Sequence, residues 1–99
     1  MFEITNYHLD VMRLATQTLS RIANNRPDED VSFNVELSTR PYRICASAFE
    51  WYKDNDHESG IKGSEHVTWY LETDTERSEK EGLSFLAKIA EWEVKYGLL

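Results

Sequence analysis

The last quarter of the chain, ERSEKEGLSFLAKIAEWEVKYGLL from Glu76 to Leu99, constrains the fold more than any other stretch. Its spacing predicts a single helix. At a step of about 100° per residue, Leu83, Leu86, Ala87, Ala90, Val94 and Leu98 fall in one apolar stripe. Phe85, Ile89, Trp92 and Tyr96 fall in a second stripe on another side. Ser84, Lys88, Glu91 and Lys95 share the polar side, with Glu93 between the stripes. A surface helix needs one apolar stripe to hold it on a core. A helix with two is either wedged between two layers of its own fold or offers one stripe to a partner.

The rest of the chain supplies the layers. Residues 6–24 predict a first helix, with Thr5 as N-cap and Ile4 and Leu9 placed for a hydrophobic staple. Val11, Met12, Ala15, Leu19, Ile22 and Ala23 form its apolar stripe, and Asp10, Arg13, Gln17 and Arg21 its wet side. Asn24, Asn25 and Pro27 end it, because asparagine tolerates the left-handed conformation and proline disfavours helix before it. Residues 31–38 alternate strictly, with Val31, Phe33, Val35 and Leu37 on one face of a strand. Thr39, Arg40 and Pro41 read as a turn. Residues 42–52 fit a strand, which would complete a hairpin, or a helix opened by Pro41; the hairpin is preferred. Residues 53–65 read as a polar loop, and residues 66–73 as a strand with Val67, Trp69 and Leu71 inward. Thr73 with Glu76, and Ser78 with Glu81, both have capping-box spacing, so the last helix has two candidate starts. Gly82 weakens its early part.

At 99 residues the chain is expected to be one domain, residues 1–99. The expected class is α+β, in the order helix–strand–strand–strand–helix. The expected sheet is a three-stranded antiparallel meander with both helices packed on one face. The aliphatic stripe of the last helix is expected against the sheet, and part of the aromatic stripe against the first helix.

Charge bounds the partners. The net charge is −7, and residues 1–26 carry +1, which leaves −8 for the remainder. Such a chain repels phosphate, so direct nucleic-acid binding is not expected, whereas a basic protein is a natural partner. A single cysteine, Cys45, forms no internal disulfide and reads as a small core residue. The opening MFEITNYHLDVMR lacks a basic start and an apolar run, and no membrane span is expected, so the expected compartment is the cytoplasm.

Catalytic motifs are missing: there is no GxGxxG, phosphate loop, nucleophile elbow or HExxH. Asp54, Asp56, His57 and Glu58 crowd the polar loop, but the glycine that a calcium loop needs at its sixth position is displaced to Gly60. No metal, cofactor or catalytic residue is expected. Two features are candidates for binding. The first is an acidic belt of ten carboxylates between Glu50 and Glu81, offset by four cations, from which Glu65, Glu72, Asp74, Glu76 and Glu79 are the expected partner contacts. The second is the aromatic stripe Phe85, Ile89, Trp92 and Tyr96, since aromatics often dominate binding energy. The expected function is therefore a non-enzymatic, acidic protein-binding module. Small phage and mobile-element inhibitors that occupy a basic, nucleic-acid-binding surface of a host protein share this size and acidity. The alternative is a homodimeric assembly protein joined through the C-terminal helix.

Overall fold

The computed structural model describes residues 2–25, 31–51, 60–72 and 74–97. Helix α1 spans Asn6–Asn24, followed by strands β1 (Val31–Thr39), β2 (Tyr42–Trp51) and β3 (Ile61–Tyr70) and by helix α2 (Thr75–Tyr96). The strands form one antiparallel sheet in the order β1-β2-β3. Both helices lie on one of its faces. The expected α+β meander is the observed one, and residues 42–51 are strand. The Arg40–Pro41 peptide in the β1–β2 turn is cis. None of the described helices is long and apolar enough to cross a membrane.

Three strands separate the helices, so α1 and α2 run parallel. Two contacts fix their register. The Tyr7 hydroxyl donates to the Glu79 carbonyl at 3.3 Å, and the Arg21 guanidinium donates to Glu93 at 2.7 Å. Each pair is 72 residues apart. The side-by-side helices therefore keep one constant offset over four turns. Both begin at the same end of the sheet.

Helix α1 starts at Thr5, whose hydroxyl accepts from the His8 N–H. The His8 Nδ1 returns the favour by accepting from the Thr5 N–H at 3.0 Å, so histidine takes the role that glutamate or glutamine usually has in a capping box. The expected staple does not close over this cap, because Leu9 is exposed. Val11, Ala15, Leu19 and Ile22 are buried as their spacing predicts, whereas Ala23 is exposed.

Strand β3 begins five residues earlier than its alternation predicts and ends three earlier. Main-chain pairing explains the early start. Ser64 pairs with Phe49, Gly63 with Glu50, and Ile61 with Trp51 across a bulge, so the β2 ladder recruits a polar segment that carries no pattern of its own. Helix α2 begins at neither capping box. Asp74 is its N-cap, accepting from the Arg77 N–H at 2.9 Å.

The two stripes of α2 are placed opposite to expectation. Phe85, Ile89, Trp92 and Tyr96 are all buried, packed with Val11, Leu19, Ile44 and Trp69 in one core. Leu83 and Val94 stand 65% and 87% exposed. Only one face of a helix can meet the sheet, and the aromatic face buries far more area than a face built on two alanines. Ala46 and Ala48 of central strand β2 are fully buried in the same core. The Phe33 ring, opposite Ala48, packs 5.8 Å from Tyr96 and 6.5 Å from Trp92. Burying each of these α2 side chains stabilises the fold by about 1.5–3 kcal/mol.

No described element covers the other face of the sheet. Its side chains are mainly polar, among them Ser32, Asn34, Ser47, Ser64, His66 and Thr68. Cys45 lies here, half-buried, and not in the core as its apolar neighbours in sequence suggest. Ser47 is buried and shares a 2.8 Å hydrogen bond with the His66 Nδ1.

Candidate docking surface on the last helix

With its aromatic face turned inward, α2 presents a different face to solvent. Helical spacing sets Glu76, Glu79, Leu83, Ala87, Ala90 and Val94 on this outer side. The N-terminal turns are acidic and the following three turns are apolar. Over 18 residues the face runs about 27 Å. Leu86 borders it, half-buried against the core.

The expected acidic contacts divide into two groups. Glu72, Asp74, Glu76 and Glu79 gather where β3 leads into α2, and all four are exposed. Asp74 is engaged as the N-cap, and Glu76 lies 3.8 Å from Lys80, a loose and fully solvated pair. Exposed pairs of this kind contribute little, so the end of the helix keeps its negative field.

Glu65 does not join them. It projects from the helix-facing side of β3, where it accepts from the Lys95 ammonium and from the Tyr96 hydroxyl, each at 2.6 Å. The Lys95 bond, then the Tyr96 bond, holds its carboxyl below the usual glutamate range. Burial and then the Glu65 bond push the Tyr96 phenol up to about 12. Glu65 ties the last turn of α2 to the sheet. The aromatic stripe is likewise corrected: Phe85, Ile89, Trp92 and Tyr96 are committed to the core and offer no surface to a partner.

A second construction was not legible in sequence. The first turns of α1 and α2 meet around Trp69, whose Nε1–H donates to the Ser78 carbonyl at 3.1 Å. The Trp69 ring lies edge-on to Tyr7 and to His8, with centroids 5.9 and 5.5 Å apart. Phe2 closes the corner against Tyr42, 4.9 Å between centroids. His8 is buried, and that burial lowers its pKa. Its Nδ1 accepts a backbone hydrogen bond, so the neutral ring carries its proton on Nε2. Ser78, one of the two expected capping residues, is instead a buried residue one turn inside the helix. The one signal in the sequence was Gly82, an unfavourable helix residue placed where α2 crosses Trp69.

No group of three or more metal-ligating side chains occurs among the described residues. The loop cluster Asp54, Asp56, His57 and Glu58 lies outside them. No protein-family model, curated protein or solved structure matches the chain.

Proposed function

We propose that this chain is a non-enzymatic protein-binding module whose docking surface is the outer face of α2. One observation carries the reading: part of an aliphatic stripe, Leu83, Ala87, Ala90 and Val94, with Leu83 at 65% and Val94 at 87% exposure, is left on a helix whose other stripe already fills the core. The acidic turns at one end of that stripe give it polarity. Its partner is then a protein with an apolar groove rimmed by Lys or Arg at one end. Occupying a basic, nucleic-acid-binding surface of another protein is the activity that such a face fits best.

Self-association through this face is disfavoured by charge. A parallel pair sets Glu76 and Glu79 against themselves. An antiparallel pair brings them to the Val94 end, where the nearby Lys95 is already bound to Glu65.

The test is affinity capture with the wild-type chain, Val94→Asp and Glu72→Lys/Glu76→Lys. The wild type is expected to capture a partner that salt releases. Val94→Asp should lose it at any salt, and the charge reversal should lose it most at low salt. A partner retained by both variants would end this reading. A wild-type dimer that Val94→Asp splits would replace it with self-assembly.

A further inference from the structure

Strands β1 and β3 are the two edges of the sheet, and they differ in how well they resist another strand. An exposed edge offers unpaired N–H and C=O groups to any extended backbone, and proteins blunt it with bulges, lysines and inward charges. Strand β3 carries all three. Its ladder to β2 is irregular between Glu50 and Trp51, Lys62 is the extra residue there, and Glu65 projects to the helix-facing side. Strand β1 carries none of them. Its nine residues, VSFNVELST, pair with β2 without a break and include no proline, glycine or lysine. Their one charge, Glu36, lies exposed on the outer face. Among the described residues no strand pairs with the other side of β1.

We propose that a second copy of this chain pairs with β1, antiparallel about a two-fold axis at Val35, and joins the two sheets into one. The strand is complementary to itself in this register. Val35 meets its own copy, Phe33 meets Leu37 and Val31 meets Thr39, all on the helix-facing side. On the outer face Ser32 meets Ser38 and Asn34 meets Glu36, so no like charges lie directly opposite. Other registers are poorer. A one-residue slip sets the apolar side chains against the outer polar ones. Centring on Glu36 opposes two carboxylates, and centring on Asn34 leaves Ser38 and Thr39 unpaired.

The helices leave room for this pairing. Helix α1 crosses the sheet obliquely: its first turn packs on Trp69 of β3, whereas Thr16, Leu19, Ser20 and Ala23 line a groove of about 270 Å³ along residues 31–35. Five consecutive β1 residues border the groove, so it opens onto the strand edge and not onto one face alone. In the two-fold arrangement residues 35–39 of the second copy run along it, with Leu37 of the second copy opposite Phe33. Both residues are only half-buried in the single chain. Helix α2 is tied to β3, at the far edge, so its outer face stays free in both copies.

The test is sedimentation equilibrium of the full-length chain from about 10 to about 500 µM. A small interface binds weakly, so the wild type is expected to dimerise with a Kd on the order of 10–100 µM. Asn34→Glu places two like-charged pairs across the junction and should raise the Kd about tenfold; Asn34→Lys places two opposite pairs there and should lower it about tenfold. Asn34 is exposed, so both variants should keep the wild-type circular dichroism. In the wild type, alternate β1 amides should gain hydrogen-exchange protection as the concentration rises. Val94→Asp should leave the dimer intact, which separates this interface from the docking surface on α2. A chain that stays monomeric over the whole range would overturn the proposal. So would an Asn34→Lys variant weakened as much as Asn34→Glu, or a dimer that Val94→Asp splits.

Discussion

Gly82→Ala sets two effects of known size against each other. Alanine is the better helix residue by about 1 kcal/mol, so an exposed site would gain. At Gly82 an added Cβ would lie 2.9 Å from the Trp69 Cζ2, 3.1 Å from its Cη2 and 3.0 Å from the Tyr7 hydroxyl. Ordinary carbon contacts are about 3.5–4.0 Å. The Tyr7 hydroxyl can swing aside, because that side chain is 37% exposed. Trp69 cannot. It is 1% exposed, anchored to the Ser78 carbonyl and enclosed by His8 and Phe85. Relief must come from a shift of α2, and overpacking of a tight core costs about 1–3 kcal/mol. The net effect is a destabilisation of about 1 kcal/mol, or a Tm lower by roughly 4–8 °C for a domain of this size. The assay is thermal unfolding followed by circular dichroism, repeated in a Trp69→Phe background. Phenylalanine removes the crowding ring, so there Gly82→Ala should stabilise, and the double-mutant cycle should show coupling. A Tm that rises on Gly82→Ala in the wild-type background would refute the reasoning.

Two further perturbations test other parts of the structure. The pKa of His8 is lower in the folded state than its ordinary value of 6.5, so below pH 6.5 the unfolded chain takes up the proton first. The stabilisation is complete above pH 6.5 and is lost as pH falls towards the lowered value; Tm measured from pH 7.5 to 5.5 should fall in the wild type and fall less in His8→Gln, which keeps an acceptor for the cap. Tyr96→Phe removes one donor to Glu65 while Lys95 remains, so chemical denaturation should show a loss of about 1 kcal/mol; because the Glu65 carboxyl is held low, the bonds it makes are lost only as pH falls below about 4.5, and an undiminished stability in Tyr96→Phe would remove Glu65 as the tie between α2 and β3.

The parts of the fold legible in sequence are those where one residue pattern had one physical solution. Val31 to Leu37 alternate, and only a half-buried strand satisfies that alternation. Thr5 and the run from Val11 to Ile22 gave the first helix its start and its face. The faces of α2 were not legible in the same way. Two apolar stripes on one helix are equivalent to a period of 3.6, and the choice between them depends on what lies opposite. Phe33 and Trp69 lie opposite α2, and their rings meet Trp92, Tyr96 and Phe85. Glu65 escaped for a similar reason. In sequence it is one acid in a belt, but its place on the inner side of β3 delivers it to Lys95 and Tyr96. The corner built from Phe2, Tyr7, His8, Trp69 and Ser78 joins the start of the chain to the distant junction of β3 and α2, and no local pattern encodes such a meeting.

The parallel course of the two helices also decides where anything attached to the chain would emerge. Phe2 lies at the end where both helices begin, while Gly97 follows the last turn of α2. With 22 residues in α2, these points are separated by roughly 33 Å. A fusion placed before Phe2 sits beside the aromatic corner at the first turn of α1, and one placed after Gly97 sits beyond the last turn of α2. A linker from Gly97 back to Phe2 would take about ten extended residues running the length of α2.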